Sequence, residues 1–474
     1  MRTIREFLKN RRIQGAGAYF LVQVFQSGIA LVLIPLYTRY LVPSEYGIVQ
    51  TCAAIVTAIN VFGFLCVQEG AYFALMRKEP DAPKQVAATL RFELLVAAIA
   101  LPVFVLIALT WRERTVAGVS LFPYVAGVAF AAAANQIVTT YLLALQAVEE
   151  IRRCAVISFV IFASITSVQV FLLVGPELEA LSYIYAQVIG SGLAAVFAAA
   201  ALIRRYGFAT TREHTRKVIR FSAPLVPHNA AHWARGNVDR VMLSSVTSTA
   251  QTGVYGMAAT YASLLTMALD AFRLVNNPRF FSLIPEPEAN RSQITSILPV
   301  SLAALSALAI VMSLLAKDIF HLFLAPDYWD AYRYVPLLSV AVLAFGVYIN
   351  VVNVLFHKSR TALISAATVG GSLIGIGATW LLVSRYGPWG SAAGILIVNV
   401  AITSFVVVLV QRETRLPWPW LPTLLCVCAP LVCYVGGMID QALVVRLGVA
   451  LGAALLLGAV AFPYARRLVG SDVS

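Results

Sequence analysis

Apolar runs long enough to cross a bilayer follow one another along nearly the whole chain, beginning with Ala16 to Leu41. A spanning helix needs about 20 mostly apolar residues, because backbone amides and carbonyls must be satisfied within the segment once water is gone. Reading on in this way places further runs near 47–67, 86–110, 118–146, 154–175, 180–203, 221–246, 250–277, 293–316, 333–357, 361–384, 389–411, 421–438 and 441–464. The expectation is an all-α integral membrane protein of about fourteen transmembrane helices. Composition agrees: 60% of the 474 residues are hydrophobic and 12% charged, where a soluble domain carries about 25% charge.

Arg2, Arg5, Lys9, Arg11 and Arg12 ahead of the first run resemble the n-region of a secretory signal. The run is too long for that and lacks a small-residue cleavage site, so a retained helix with a basic anchor is expected. The remaining basic residues fit alternating loops. With the N-terminus cytoplasmic, only Arg39, Arg112, Arg114, Lys317, Arg333, Arg385 and Arg446 of the 35 Lys and Arg fall on the outer side. Arg235, Arg240 and Arg273 lie within spans, and the rest are cytoplasmic, as the positive-inside rule requires. Both termini are therefore expected in the cytoplasm. The net charge of +13 reads as topology signal and contact with anionic membrane lipid rather than nucleic-acid binding.

The two halves echo each other. Glu45-Tyr46-Gly47-Ile48 opens the second helix and Gln251-Thr252-Gly253-Val254-Tyr255 the eighth; Gly175-Pro176 precedes the sixth and Gly387-Pro388 the twelfth. One six-helix unit used twice would give two lobes around a central cavity, a common transporter plan. The expected division is an N-lobe over 1–203, a basic cytoplasmic connector over 204–220, a C-lobe over 221–411, and two appended helices with a tail over 412–474.

Charges inside spans are costly and read as functional candidates. His228, His232, Arg235 and Asp239 are spaced i, i+4, i+7 and i+11; at about 100° per residue they fall within an arc of about 60°. Such a stripe should line the cavity, where Arg235 can meet a diphosphate by paired hydrogen bonds. Asp239 and Arg240 form either a salt pair or a gating element, with Arg240 also counted among substrate-facing candidates. Asp270 and Arg273 are i, i+3 neighbours, either an internal pair or a cation and substrate site. Glu69, beside Gln68 at the end of the second helix, is either a proton-coupling carboxylate or a snorkelling end residue. Gln23, Gln26, Asn135, Gln136, Asn350 and Asn353 either bind sugar hydroxyls or bridge helices.

Covalent chemistry finds little footing. His228-Asn-Ala-Ala-His232 has ligand spacing without the glutamate of a zinc protease motif, and no phosphate-binding Walker loop occurs. The cysteines, including Cys426-Val-Cys428, read as small hydrophobes rather than disulfides or metal ligands, so neither metal nor cofactor is expected. The longest outer connector, near Lys317 to Tyr332, is only about 16 residues, a short platform for a membrane glycosyltransferase, polymerase or ligase.

Ile34-Pro35-Leu36-Tyr37-Thr38-Arg39-Tyr40-Leu41-Val42-Pro43-Ser44-Glu45-Tyr46-Gly47 resembles the first-loop signature of the polysaccharide flippases, within the multidrug/oligosaccharidyl-lipid/polysaccharide (MOP) exporter superfamily. Phe221-Ser222-Ala223-Pro224-Leu225-Val226-Pro227, Trp233, Asp239-Arg240 and Gly253-Val254-Tyr255 resemble its seventh and eighth helices. Tyr334-Val335-Pro336-Leu337-Leu338 and Tyr386-Gly387-Pro388-Trp389-Gly390-Ser391-Ala392-Ala393 extend the likeness to the tenth through twelfth, while Asn276-Asn277-Pro278 departs from it by lacking an aromatic before the proline. The resemblance implies a bacterial inner-membrane transporter, not an enzyme. It would move a polyprenyl-diphosphate-linked oligosaccharide outward by alternating access, with H+ or Na+ as coupling ion and the last two helices bordering a groove for the lipid tail. Expected partners are that lipid-linked substrate, membrane lipids, and polysaccharide polymerase and export machinery; a two-lobed chain needs no second copy. A multidrug exporter of the same superfamily is the alternative within transport, but its cargo is typically cationic and Arg235 and Arg273 would repel it.

Overall fold

A computed structural model of the chain describes residues 26, 28–29, 32–285, 289–358, 360–414, 416–435 and 441–469. The basic N-tail, much of the first apolar run and the candidate Gln23 lie outside the described residues. Nearly all of the rest is helix. The first half comprises α1 (Ile34–Tyr40), α2 (Pro43–Gly63), α3 (Val67–Met76), α4 (Ala82–Thr110), α5 (Ala126–Ala147), α6 (Ile151–Val174), α7 (Glu179–Tyr206) and α8 (Arg212–Ser222). Then follow α9 (Val226–Val246), α10 (Thr249–Leu283), α11 (Arg291–Phe323), α12 (Val335–Val351), α13 (Asn353–His357), α14 (Thr361–Tyr386), α15 (Pro388–Thr414), α16 (Trp420–Val435) and α17 (Leu443–Val469). Between α4 and α5, β1 (Thr115–Val116) pairs antiparallel with β2 (Val119–Ser120).

Among the described residues eleven helices are long and apolar enough to cross a membrane, and α16 is a shorter apolar one. α9 has 21 residues, or about 31 Å at 1.5 Å per residue, enough to span although too polar to qualify by hydropathy. With the first apolar run, these bring the total to about fourteen. The chain is a multi-pass, all-α membrane protein.

Contacts divide it into two compact units, one reaching to Trp233 and taking Ser248–Ala250, the other holding Ala234–Thr247 and everything from Gln251 onward. The division falls inside α9 rather than in the basic connector. The reason is that much of the connector is α8, which is amphipathic and docks on α3 and α4 of the first unit. Its Val218 is buried, and a Cβ on Gly70 of α3 would stand 2.9 Å from Ser222 Oγ and 3.0 Å from Val218 Cγ1, so glycine allows this close approach without a shift of α8 side chains. At the other edge Lys217 Nζ donates to Glu79 at 2.8 Å and to Asp81 at 3.0 Å.

In the first unit α5 is central, packing on α2, α3, α4, α6 and α7. Its run Ala131 to Ala134 is buried throughout; small side chains let helices approach closely where lipid removes the hydrophobic driving force. α4 turns Leu95, Ile99, Val103 and Leu106 outward, a helical-period apolar face of the kind acyl chains solvate. The sequence reading also needs one correction here: the second apolar run is not one helix ending at Glu69. α2 stops at Gly63, Leu65 and Cys66 take left-handed φ of 52° and 54°, and the chain resumes as α3 with Gln68 and Glu69 in its first turn. Left-handed non-glycine residues cost about 1–2 kcal/mol each, and burial of Phe64, Cys66 and Val67 holds the bend.

The second unit is built on α11 and α12. α16 and α17 lie against α11, and Arg446 of α17 fixes the contact through a two-pronged pair with Asp318, its Nη2 standing 2.8 Å from Oδ1. Arg446 is thus a buried helix residue at 6% exposure, where the charge alternation had counted it with the outer-side basic residues. α14 and α15 form a tight hairpin, with a Cβ on Gly371 meeting the Ile402 backbone nitrogen at 2.7 Å.

Candidate substrate site

Three helices of the second unit bring the intramembrane arginines together. α9 supplies Arg235, α10 supplies Asp270 and Arg273, and α12 supplies Phe345 and Tyr348. The Arg235 guanidinium lies 3.8 Å above the centroid of the Phe345 ring, and Phe345 stacks on Tyr348 at 5.1 Å and 20°. Asp270 and Tyr348 act on the charge of Arg235, and both arginines act on Tyr348, so these four side chains share one electrostatic neighbourhood. Both aromatics are buried. Arg235 Nε is buried too and has no hydrogen-bond partner. Asp270 and Arg273 make only a loose pair, 3.8 Å apart with side chains 57% and 53% exposed. A guanidinium over an aromatic face gains about 0.5–2 kcal/mol and retains N–H donors for an anion, which a guanidinium can bind in bidentate fashion when it is a phosphate.

The rest of the expected stripe does other things. α9 is continuous through His228, His232, Arg235 and Asp239, as the spacing requires, yet the unit division leaves the two histidines with the first unit. Their rings meet edge to face at 4.7 Å. Beside them Asn229 Nδ2 donates to Cys66 Sγ at 3.3 Å and Trp233 Nε1 to the Ala54 carbonyl at 3.0 Å, tying the start of α9 to α2 and its bend. Asp239, 1% exposed, accepts a 2.6 Å hydrogen bond from the Tyr255 hydroxyl, and Ser391 Oγ donates to its carbonyl at 3.3 Å. The Asp239–Arg240 pair is not among the ion pairs of the described residues; Asp239 instead joins α9 to α10 and α15. Arg240 keeps a buried Nε without a partner.

The family described as polysaccharide biosynthesis protein matches residues 13–284, more than half of this sequence. The chain belongs to that family. Lsg locus putative protein 1 of Haemophilus influenzae is 22% identical over 171 residues, 36% of this polysaccharide biosynthesis protein and 43% of the relative. The match therefore spans less than half of that relative's length. Among solved structures, the lipid II flippase MurJ in an inward closed conformation is similar with a TM-score of 0.72 at 13% identity, over 98% of this chain and 100% of that one. The Vibrio cholerae MATE transporter VcmN gives 0.53 at 14% identity, over 86% and 98%. A MOP superfamily transporter from Pyrococcus furiosus gives 0.52 at 13% identity, over 85% and 95%. The fold is that of the MOP transporters.

Within this family member two of the amide candidates bridge helices. Gln26 Nε2 donates to the Ser158 carbonyl of α6 at 3.0 Å, and Asn353 Nδ2 to Asn277 Oδ1 of α10 at 3.0 Å. Both spend an amide donor on joining helices. Glu69 stays half-buried in the first turn of α3. One residue went unnoticed in the sequence. Glu93 of α4 is fully buried and hydrogen-bonded to Gln136 and Thr140 of α5. A lone carboxylate inside the apolar run 86–110 was the available signal; a hydropathy window averages one charge away.

Proposed function

We propose that this polysaccharide biosynthesis protein is a flippase for a polyprenyl-diphosphate-linked oligosaccharide. It carries the sugar head from the cytoplasmic to the outer leaflet of a bacterial inner membrane by alternating access, drawing on an ion gradient and delivering its product to polysaccharide polymerase and export machinery. The observation that carries the reading is Arg235: a guanidinium over the Phe345 ring, with a buried Nε donor left unused. An unpaired donor at that depth costs about 1–3 kcal/mol, and an anionic headgroup supplies the partner. Arg273, half-exposed on α10, adds a second cation for the diphosphate. The aromatic pair gives the site apolar walls around few polar groups, the usual make-up of a small-ligand pocket. A cationic drug would meet the wrong sign of charge.

The experiment is reconstitution in liposomes with a fluorescent polyprenyl-diphosphate oligosaccharide, scoring the label that becomes reachable by an impermeant reagent. Faster, saturable exposure that is lost in Arg235→Ala supports the flippase. Sugar units joined or transferred instead would move the protein to the glycosyltransferase class, and efflux of a cationic dye in place of the lipid would make it a drug exporter.

A further inference from the structure

α4 carries a carboxylate with no countercharge. Glu93 Oε1 accepts a 2.6 Å hydrogen bond from Thr140 Oγ1 and a 3.0 Å one from Gln136 Nε2. The same amide donates to Gln68 Oε1 at 2.7 Å, so a four-residue polar cluster links α3, α4 and α5. Oε2 is buried and has no hydrogen-bond partner. Packed against α4 are α3, α5, α7, α8 and the turn at Leu121–Val125. Of the titratable groups on these elements, Glu69, Tyr124, Tyr141, His214 and Lys217 included, none acts on the carboxylate; its two donors alone do.

An ionised carboxylate with neither water nor a cation beside it is strongly disfavoured, and a group retained in that position inside a membrane span is a candidate for moving charge. We infer that Glu93 is a proton-binding site: Oε2 takes up one proton from water on one side of the membrane and gives it up on the other, coupling the transport cycle to a proton gradient. The coupling rests on the flippase reading; the proton site does not. The surroundings select a proton over a metal ion. The hydroxyl and the amide that touch the carboxylate both donate to it, Gln68 Oε1 already accepts from Gln136, and among the described residues no group of three or more His, Cys, Asp or Glu is placed to hold a metal. The bend at Leu65 and Cys66 lies just ahead of Gln68, so a change in the angle of α3 would open the cluster and let water reach Oε2.

Two readouts test this. In liposomes, an imposed pH gradient should accelerate flipping of the fluorescent lipid by the wild type several-fold, and Glu93→Gln, a neutral isostere, should flip at the gradient-free rate under both conditions. Acceleration retained by Glu93→Gln overturns the inference, and so does acceleration by a sodium gradient in place of a pH gradient. On the purified protein without substrate, infrared difference spectra between acid and alkaline pH should show a carboxylic-acid carbonyl band that is absent from Glu93→Gln. If no such band depends on Glu93, the proton site is wrong even if the protein flips lipid. If the wild type flips nothing, the flippase reading fails and the infrared band still decides the proton site. Thr140→Val keeps the carboxylate but removes a donor to its charged form, so it should move the midpoint of the band; an unmoved midpoint overturns the inference should Glu93→Gln fail to fold.

Discussion

Arg235 and Asp239 sit one turn apart on one helix, and their surroundings separate their roles. Arg235 has an aromatic platform and a spare donor, whereas Asp239 is nearly inaccessible and takes the Tyr255 hydroxyl. Charge-assisted hydrogen bonds contribute about 1.5–3 kcal/mol, so Arg235→Ala should lower the initial rate of lipid exposure in liposomes about 10- to 100-fold at subsaturating lipid. Arg235→Lys keeps the charge but loses the planar fork, and should fall between the two. Tyr255→Phe is the contrasting case. It removes a donor from a buried carboxylate, so the thermal unfolding midpoint in detergent should fall, with a loss of about 1.5–3 kcal/mol, while flipping per folded molecule is unchanged. A variant of normal stability that no longer flips would instead return Asp239 to a gating role. The sequence placed all four charged and titratable residues on one stripe of the helix because 3.6-residue periodicity is a property of the backbone. It could not tell anchor from binding group, since Tyr255, Phe345 and Ser391 arrive from α10, α12 and α15.

At the level of elements, hydropathy located the spans because lipid leaves helices no alternative, and it misplaced what lipid does not dictate. The bend at Leu65 and Cys66 carries no proline, and Gly63 alone marks the end of α2, so nothing in the residue types announces two left-handed positions. α8 was taken as part of a connector because its basic residues dominate it, yet Val218 and Ser222 give it a docking face against Gly70. Its outer edge is held by charge. The Lys217 ammonium holds the Glu79 and Asp81 carboxyls below their ordinary values, with Gln85 assisting, and the two acids raise Lys217 in turn. Lowered carboxylates contribute docking strength above their unfolded values, about 4, and lose it as pH falls through the folded ones; a raised lysine contributes below about 10.4 and loses it as pH climbs past its folded value. A spin label at Arg212→Cys should therefore be least mobile between roughly pH 5 and 10 and loosen on either side. In the Lys217→Met background that plateau should vanish, leaving a label equally mobile at neutral and acid pH.

For the whole molecule, the seven basic residues assigned to the outer side were a statement about orientation, and the fold bears on each of them differently. Arg446 proved to be a buried partner of Asp318, which takes it out of the loop census without disturbing the alternation, since a charge bonded inside a helix pair is no longer a topology signal. Arg112 and Arg114 remain decisive. They stand exposed between α4 and β1, at the end of α4 opposite Asp81 and Arg91, so their side of the membrane fixes that of every element in the first unit. With the N-terminus inside, the positive-inside rule puts this hairpin outside and the linker from α7 to α8, rich in arginine at its edges, in the cytoplasm. In a cysteine-free background, Glu113→Cys should react with a membrane-impermeant maleimide on intact cells, and Ala209→Cys only after the membrane is opened. The converse pattern would invert the orientation, and with it the proposed direction of transport. Labelling of both positions from one side would mean that the chain crosses an even number of times between them, whereas α5, α6 and α7 make three crossings, so the assignment of one of these three as a full span would have to be withdrawn.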